Sequence, residues 1–141
     1  MNLCPCGARG DPSVACHCTP QRIAGYRAKL SRALLDRFDL VVAMPRPRGV
    51  ELAAGPAEPS AAVAARVGAA RARLRSEDLR RAPAADEVLT RAVERLPLSG
   101  RGRARVARVA RTIAALAGAE RVEAEHVAEA TSYRPPEELA A

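Results

Sequence analysis

The chain has 141 residues, 48% of them apolar, which is enough to bury a core and excludes wholesale disorder. Aromatic residues make up only 2% and Trp is absent, so each buried position removes little area from water and the core is thin. The formal charge is +7 and Lys29 is the one lysine, so the charge is almost wholly guanidinium, suited to phosphate or carboxylate; solvated arginine faces are the plainer alternative.

The chain opens with no basic segment followed by an apolar run. Its longest strongly apolar stretch, Leu40 to Met44, is far too short for a bilayer, so a cytoplasmic chain without membrane contact is expected. In a reducing compartment, clustered cysteines point to a metal site before disulfides. Cys4-Pro5-Cys6-Gly7 and Cys16-His17-Cys18 enclose a loop in which Gly7, Gly10, Asp11 and Pro12 supply turns. Soft sulfur ligands in two close pairs suit a tetrahedral ion, Zn²⁺ before others, held by Cys4, Cys6, Cys16 and Cys18. Buried or redox-active thiols are the alternative, because Cys-x-Cys is less diagnostic than Cys-x-x-Cys. His17, between two ligands, is expected to point away from the ion.

Thr19-Pro20 predicts a helix start, hydroxyl cap followed by proline at the first helical position, with the helix running to about Leu30 and Ile23, Tyr26 and Leu30 on one face. Residues 33–38 predict a short helical turn. Residues 39–44 are an unbroken β-favouring run closed by Pro45, the pattern of a buried parallel strand. This chain offers few partners for it, so the domain to which it belongs is expected to be cut.

Residues 45–59, rich in proline and glycine, read as a linker. Ser60 is expected to cap a helix over about 61–75 with Val63, Val67, Ala70 and Leu74 inward. A helix over about 86–96 opens at Asp86, closes at Pro97 and turns Leu89, Val93 and Leu96 inward. A long helix from Ser99 to Ala117 stops at Gly118 and buries Val106, Val109, Ile113 and Leu116, with Arg101, Arg105 and Arg108 along the border. A last helix spans 122–132 with His126, Val127 and Ala130 inward. The remaining residues, 135–141, form a tail.

Arg37 lies in Leu34-Leu35-Asp36-Arg37-Phe38-Asp39, where an ion pair to Asp36 or Asp39 is the plainer reading of its charge. Arg101, Arg105 and Arg108 form a row that starts at the N-terminus of the long helix, placed to meet an anion, with stems covering apolar surface and heads in water as the alternative.

At these residues the chain resembles the C-terminal part of the magnesium-chelatase-like AAA+ ATPases of the YifB/ComM type, bacterial proteins linked to competence and DNA branch migration. The resemblance is carried by Asn2-Leu3-Cys4-Pro5-Cys6-Gly7, Gly10-Asp11, Cys16-His17-Cys18-Thr19, Tyr26-Arg27-Ala28-Lys29-Leu30-Ser31 and residues 34–39. Further on it is carried by Leu98-Ser99-Gly100-Arg101, residues 108–114 and residues 124–130. It implies a mostly α chain. Residues 1–44 would be the end of an AAA+ α/β core, one short strand plus helix with the four-cysteine loop, and 60–134 a helical lid after the linker 45–59.

By the same resemblance Asn2 is the sensor-1 residue near the γ-phosphate, Arg37 the arginine finger acting in trans, and Arg101 the sensor-2 arginine acting in cis. ATP and Mg²⁺ would be bound only in the intact motor, because no Gly-x-x-x-x-Gly-Lys-Ser/Thr loop and no strand ending in an acidic pair occurs in these residues. The chain is therefore expected to be a portion of an ATP-driven, DNA-associated ring, a hexamer, with its own AAA+ core and the neighbouring subunits as partners, and not catalytic alone. The competing reading is a small zinc-dependent nucleic-acid-binding module.

Overall fold

The computed structural model describes residues 2–45, 47–55, 58–96 and 98–135, so Pro56, Pro97 and the tail beyond Pro135 lie outside the described residues. Among these residues seven helices run in order: α1 Pro20–Arg27, α2 Arg32–Leu35, α3 Gly49–Ala53, α4 Ser60–Ser76, α5 Pro83–Arg95, α6 Gly100–Leu116 and α7 Ala124–Ser132. They fall into two compact units. One holds the described residues up to Phe38 together with 42–55 and Pro135; the other holds 39–41 and the described residues of 58–134.

In the first unit, the Thr19 hydroxyl accepts from the Arg22 N–H at 3.4 Å and Pro20 takes the first helical position, as the sequence predicts. α1 ends at Arg27, earlier than expected, and Ile23 is its buried residue. α3 forms inside the stretch read as linker, because Glu51 folds back to accept from the Arg48 N–H at 2.8 Å.

The second unit is α-helical, with α6 packed against α7 and α4, and α5 against α7. Its core is made of small side chains, among which Leu89, Val106, Val122 and Val127 are the largest to be fully buried. Ser99 caps α6, accepting from the Gly102 N–H at 3.1 Å. The other end closes through Gly118, at φ 72°, with the Gly118 N–H on the Ala115 carbonyl and the Ala119 N–H on the Ala114 carbonyl. α5 begins a turn before Asp86 because Pro83 presets its first residue. A parallel bridge joins Arg81 to Val122, the Ala82 N–H donating to the Val122 carbonyl at 2.9 Å and the Val122 N–H to the Arg80 carbonyl at 2.9 Å.

Two expectations are not met within this chain. Residues 39–44 form no strand: the Val41 N–H donates to the Tyr133 carbonyl at 2.8 Å, while Leu40, Val42 and Met44 are exposed. A lone β-prone run has no ladder in which to satisfy its backbone, so propensity cannot make it a strand. Along α4, Ala70 is buried and Leu74 packs on the core, but Val63 is exposed; on α6, Leu116 is exposed too. Periodicity marks a face, but the length over which that face is covered depends on where its neighbours end.

The C-terminal ends of α4 and α6 lie side by side and are closed by each other's arginines. Arg73 of α4 donates to the Ala115 carbonyl at 3.4 Å and the Ala119 carbonyl at 2.7 Å, while Arg111 of α6 donates to the Leu74 carbonyl at 3.3 Å and the Glu77 carbonyl at 2.9 Å. Glu77 holds the Arg73 fork with contacts of 3.1 and 2.7 Å.

The hydrogen bonds from Arg73 pull the Glu77 carboxyl below its ordinary 4.5, against a smaller opposing effect of burial. A depressed carboxyl contributes stability above its unfolded value and loses it as pH falls through the folded one. The melting temperature of Glu77→Gln is therefore expected to lie below wild type at neutral pH, with the gap closing on acidification below 4.5, as followed by thermal melts across pH.

Candidate metal and anion sites

The loop ahead of α1 folds on itself through short backbone contacts. The Gly7 N–H donates to the Cys4 carbonyl and the Asp11 N–H to the Ala8 carbonyl, each at 3.1 Å. Gly7 has φ 80°, and a Cβ there would meet the Asn2 amide nitrogen at 3.3 Å, so both the turn and the close approach require glycine. Asp11 then accepts from the Ser13 N–H at 2.8 Å, turning the chain toward the second cysteine pair.

These turns bring the four cysteines together. Their sulfur atoms all lie within 4.8 Å of one another, with Cys4 and Cys6 at 3.3 Å, Cys6 and Cys16 at 3.7 Å, and Cys16 and Cys4 at 3.7 Å. Four thiolates bound at about 2.3 Å in a tetrahedron stand about 3.8 Å apart, so the cluster fits a four-sulfur metal site with little movement. Cys4 is fully buried and His17 is exposed, outside the cluster.

The electrostatics separate the thiols. Burial pushes Cys4 up, but the Arg9 N–H, at 3.4 Å from its sulfur, and hydrogen bonds from Cys6 and Cys16 outweigh it and bring it down to about 6. Cys16 is raised to about 11: a hydrogen bond from the Cys18 backbone lowers it, but burial and the neighbouring sulfurs together prevail. One thiol is thus ready to ionise while a neighbour resists, which is what crowding several potential anions produces. A bound cation would reverse that resistance and hold every sulfur as thiolate.

Arg37 follows α2 and is exposed; among the described residues its side chain makes neither a hydrogen bond nor an ion pair. The pairing to Asp39 offered by the sequence does not form, because Asp39 is taken by Arg105, at 2.7 Å, with Arg108 at 3.8 Å. Arg101 is likewise exposed and unpaired among the described residues, in the first turn of α6, whose N-terminal backbone dipoles favour an anion nearby. By contrast Arg66, Arg73, Arg80 and Arg81 each meet a carboxylate. Asn2 is exposed, its amide against Gly7. Sequence reasoning missed the Asp39 pairing, whose partners are 66 residues apart, and the crossed arginine caps of α4 and α6.

No helix among the described residues is long and apolar enough to cross a membrane. The family model for the C-terminal domain of magnesium chelatase subunit ChlI matches residues 57–134, and that for magnesium chelatase subunit ChlI matches residues 1–52. The chain is 34% identical over 133 residues to competence protein ComM of Haemophilus influenzae, covering 82% of this chain and 26% of that protein. It is also 34% identical over 139 residues to the uncharacterized protein YifB of Salmonella typhimurium and to that of Escherichia coli K12, covering 86% of this chain and 28% of each relative. The chain thus spans about a quarter of the length of the curated relatives it matches. No solved structure matches it.

Gly7→Ala is expected to cost about 1–2 kcal/mol, the penalty for a side chain in left-handed backbone. It should also loosen the loop, so that in the metal-free protein a thiol reagent labels Cys4 faster than in wild type.

Proposed function

The chain belongs to the family of magnesium chelatase subunit ChlI and its C-terminal domain, and from that membership we propose that it works as the C-terminal portion of an AAA+ ATPase of the YifB/ComM type. In this reading residues 60–134 are the lid and residues 1–44 complete the α/β core, where 39–44 would find the strand partners this chain does not offer. Arg37 is the finger that reaches a neighbouring subunit's nucleotide, Arg101 the sensor-2 contact to the nucleotide of its own subunit, and Asn2 the sensor-1 amide. The work of the assembled ring, a hexamer, is ATP-driven movement on DNA in the cytoplasm.

The observation that carries the reading is the pair of unneutralised guanidiniums. Among the described residues Arg37 and Arg101 stay exposed and without a carboxylate, as Arg22, Arg95 and Arg103 also do, and it is their place at the two motif positions that distinguishes them. Phosphoryl transfer needs fixed positive charge where negative charge moves to the leaving oxygen, and a guanidinium already engaged elsewhere could not supply it. Support for DNA comes from the excess positive charge and from the relative named a competence protein.

The cysteine cluster is proposed to hold one Zn²⁺ through Cys4, Cys6, Cys16 and Cys18. The sulfur-only donor set and the spacing favour it over harder ions. Bound there, the ion supplies folding energy to the loop that carries Asn2, and no chemistry on the nucleotide.

The chain alone is expected to turn over no ATP, and to restore turnover to a YifB relative deleted for the region matched here. Arg37→Ala in that assembly should cost about 10³-fold or more in kcat. Turnover by the isolated chain defeats the division of labour. Salt-dependent DNA binding with no stimulation of any ATPase core would favour the zinc-dependent nucleic-acid module instead. Elemental analysis should find one zinc per chain, absent from Cys4→Ser and removed by a chelator with loss of thermal stability.

A further inference from the structure

The four cysteines are free thiols covered to different depths. Cys4 is fully buried, Cys16 and Cys18 are half-buried, and Cys6 is exposed. Pro5 and Gly7, on either side of Cys6, are exposed as well, so a small solute meets the Cys6 sulfur at the surface. That sulfur lies 3.3 Å from Cys4 and 3.7 Å from Cys16. The thiol that solvent reaches most easily is therefore in contact with the one it does not reach.

The backbone between these two sulfurs is folded in the way a bond between them needs. An extended Cys-x-Cys sets its Cα atoms about 7 Å apart, at the limit of what a disulfide spans. Here the Gly7 N–H donates to the Cys4 carbonyl at 3.1 Å, which closes residues 4–7 into a turn and draws the two cysteines together. Pro5 presets one residue of that turn, and Gly7, at φ 80°, takes the left-handed conformation that follows it.

Resting on the zinc reading above, we propose that the cluster is an oxidation site as well as a metal site: a hydroperoxide oxidises Cys6, Cys4 closes a disulfide with it, and the ion, left with two of its four sulfurs, is released. The Cys6 thiolate attacks one peroxide oxygen; the O–O bond breaks, hydroxide leaves, and Cys6 becomes a sulfenic acid, having given up two electrons to the peroxide. The Cys4 thiolate then attacks the Cys6 sulfur; the S–S bond forms, the S–O bond breaks, and a second hydroxide leaves. With hydrogen peroxide, two thiolates and one oxidant give one disulfide and two hydroxide ions. Burial divides the labour: Cys4 is shielded from the oxidant yet touches the sulfur that meets it. Cys16 and Cys18 remain as thiols, half of a tetrahedral donor set, and hold zinc less tightly. A dithiol reductant reverses the bond by exchange.

The test treats the zinc-loaded full chain with hydrogen peroxide while a chromogenic chelator reads free zinc. Cleavage after Arg9 and Arg22 then places Cys4 and Cys6 on one peptide, residues 1–9, and Cys16 and Cys18 on another, residues 10–22, for mass spectrometry without reduction. Release of the zinc is expected with loss of two thiols per chain, the first peptide lighter by two hydrogens and the second unchanged, and a dithiol with added zinc should restore the starting state. Before oxidation, iodoacetamide should alkylate Cys6 about tenfold faster than Cys4. Zinc retained under peroxide, the two peptides cross-linked, a disulfide within residues 10–22, or alkylation of Cys4 as fast as Cys6 each overturns the inference and leaves the zinc reading standing. A purified chain that carries no zinc before peroxide is added overturns both.

Discussion

Two helix ends of the same sign meet in the helical unit, and the exchange of arginines between them is the constraint on which the rest of that unit depends. The C-terminal end of an α-helix carries partial negative charge and carbonyls without intrahelical partners, so bringing α4 and α6 together at those ends is unfavourable unless cations intervene. Arg73 and Arg111 intervene reciprocally, each leaving its own helix to close the other. The need is sharper because, apart from Leu79 and Leu89, the buried core is made of alanine and valine, whose burial supplies little per residue. Polar closure at the helix ends does part of what larger side chains do elsewhere. The Ala119 carbonyl that receives Arg73 belongs to the turn after Gly118, and that turn delivers Val122 to its bridge with Arg81.

Local chemistry made much of this readable from the amino acids alone. Thr19-Pro20, Ser99 and Gly118 announce helix ends because capping needs only neighbours in sequence, and the structure uses each of them. The cysteine cluster was legible for the same reason: Gly7 and Asp11 turn a short loop on itself, and the sulfurs then have nowhere else to go. What stayed hidden depends on distance along the chain. Arg73 and Arg111 look like solvated charges in a helical pattern, and nothing in that pattern reveals that a carbonyl some forty residues away lacks a donor. By sequence Asp39, two residues off, is a natural partner for Arg37, but the fold pairs it with Arg105.

Arginine therefore plays two parts in one composition. Where a guanidinium meets a carboxylate or a helix end, it is structural and its charge is spent locally; Arg66 with Glu58 and Arg73 with Glu77 are of this kind. Where the fold withholds a partner, as at Arg37 and Arg101, the charge is left directed at solvent. Net charge alone could not make that distinction, since it counts both kinds equally.

The stretch from Leu40 to Met44 carries a practical corollary. It is apolar and lies outside any helix or strand, with Leu40, Val42 and Met44 exposed and the Val41 N–H bonded to the Tyr133 carbonyl. Short β-prone runs in this condition are what intermolecular stacking recruits, and the flanking Asp39 and Pro45 are the kind of gatekeepers that slow such stacking without abolishing it. Any association at high concentration is accordingly expected to begin at these few residues, against the repulsion of the protein's large positive charge.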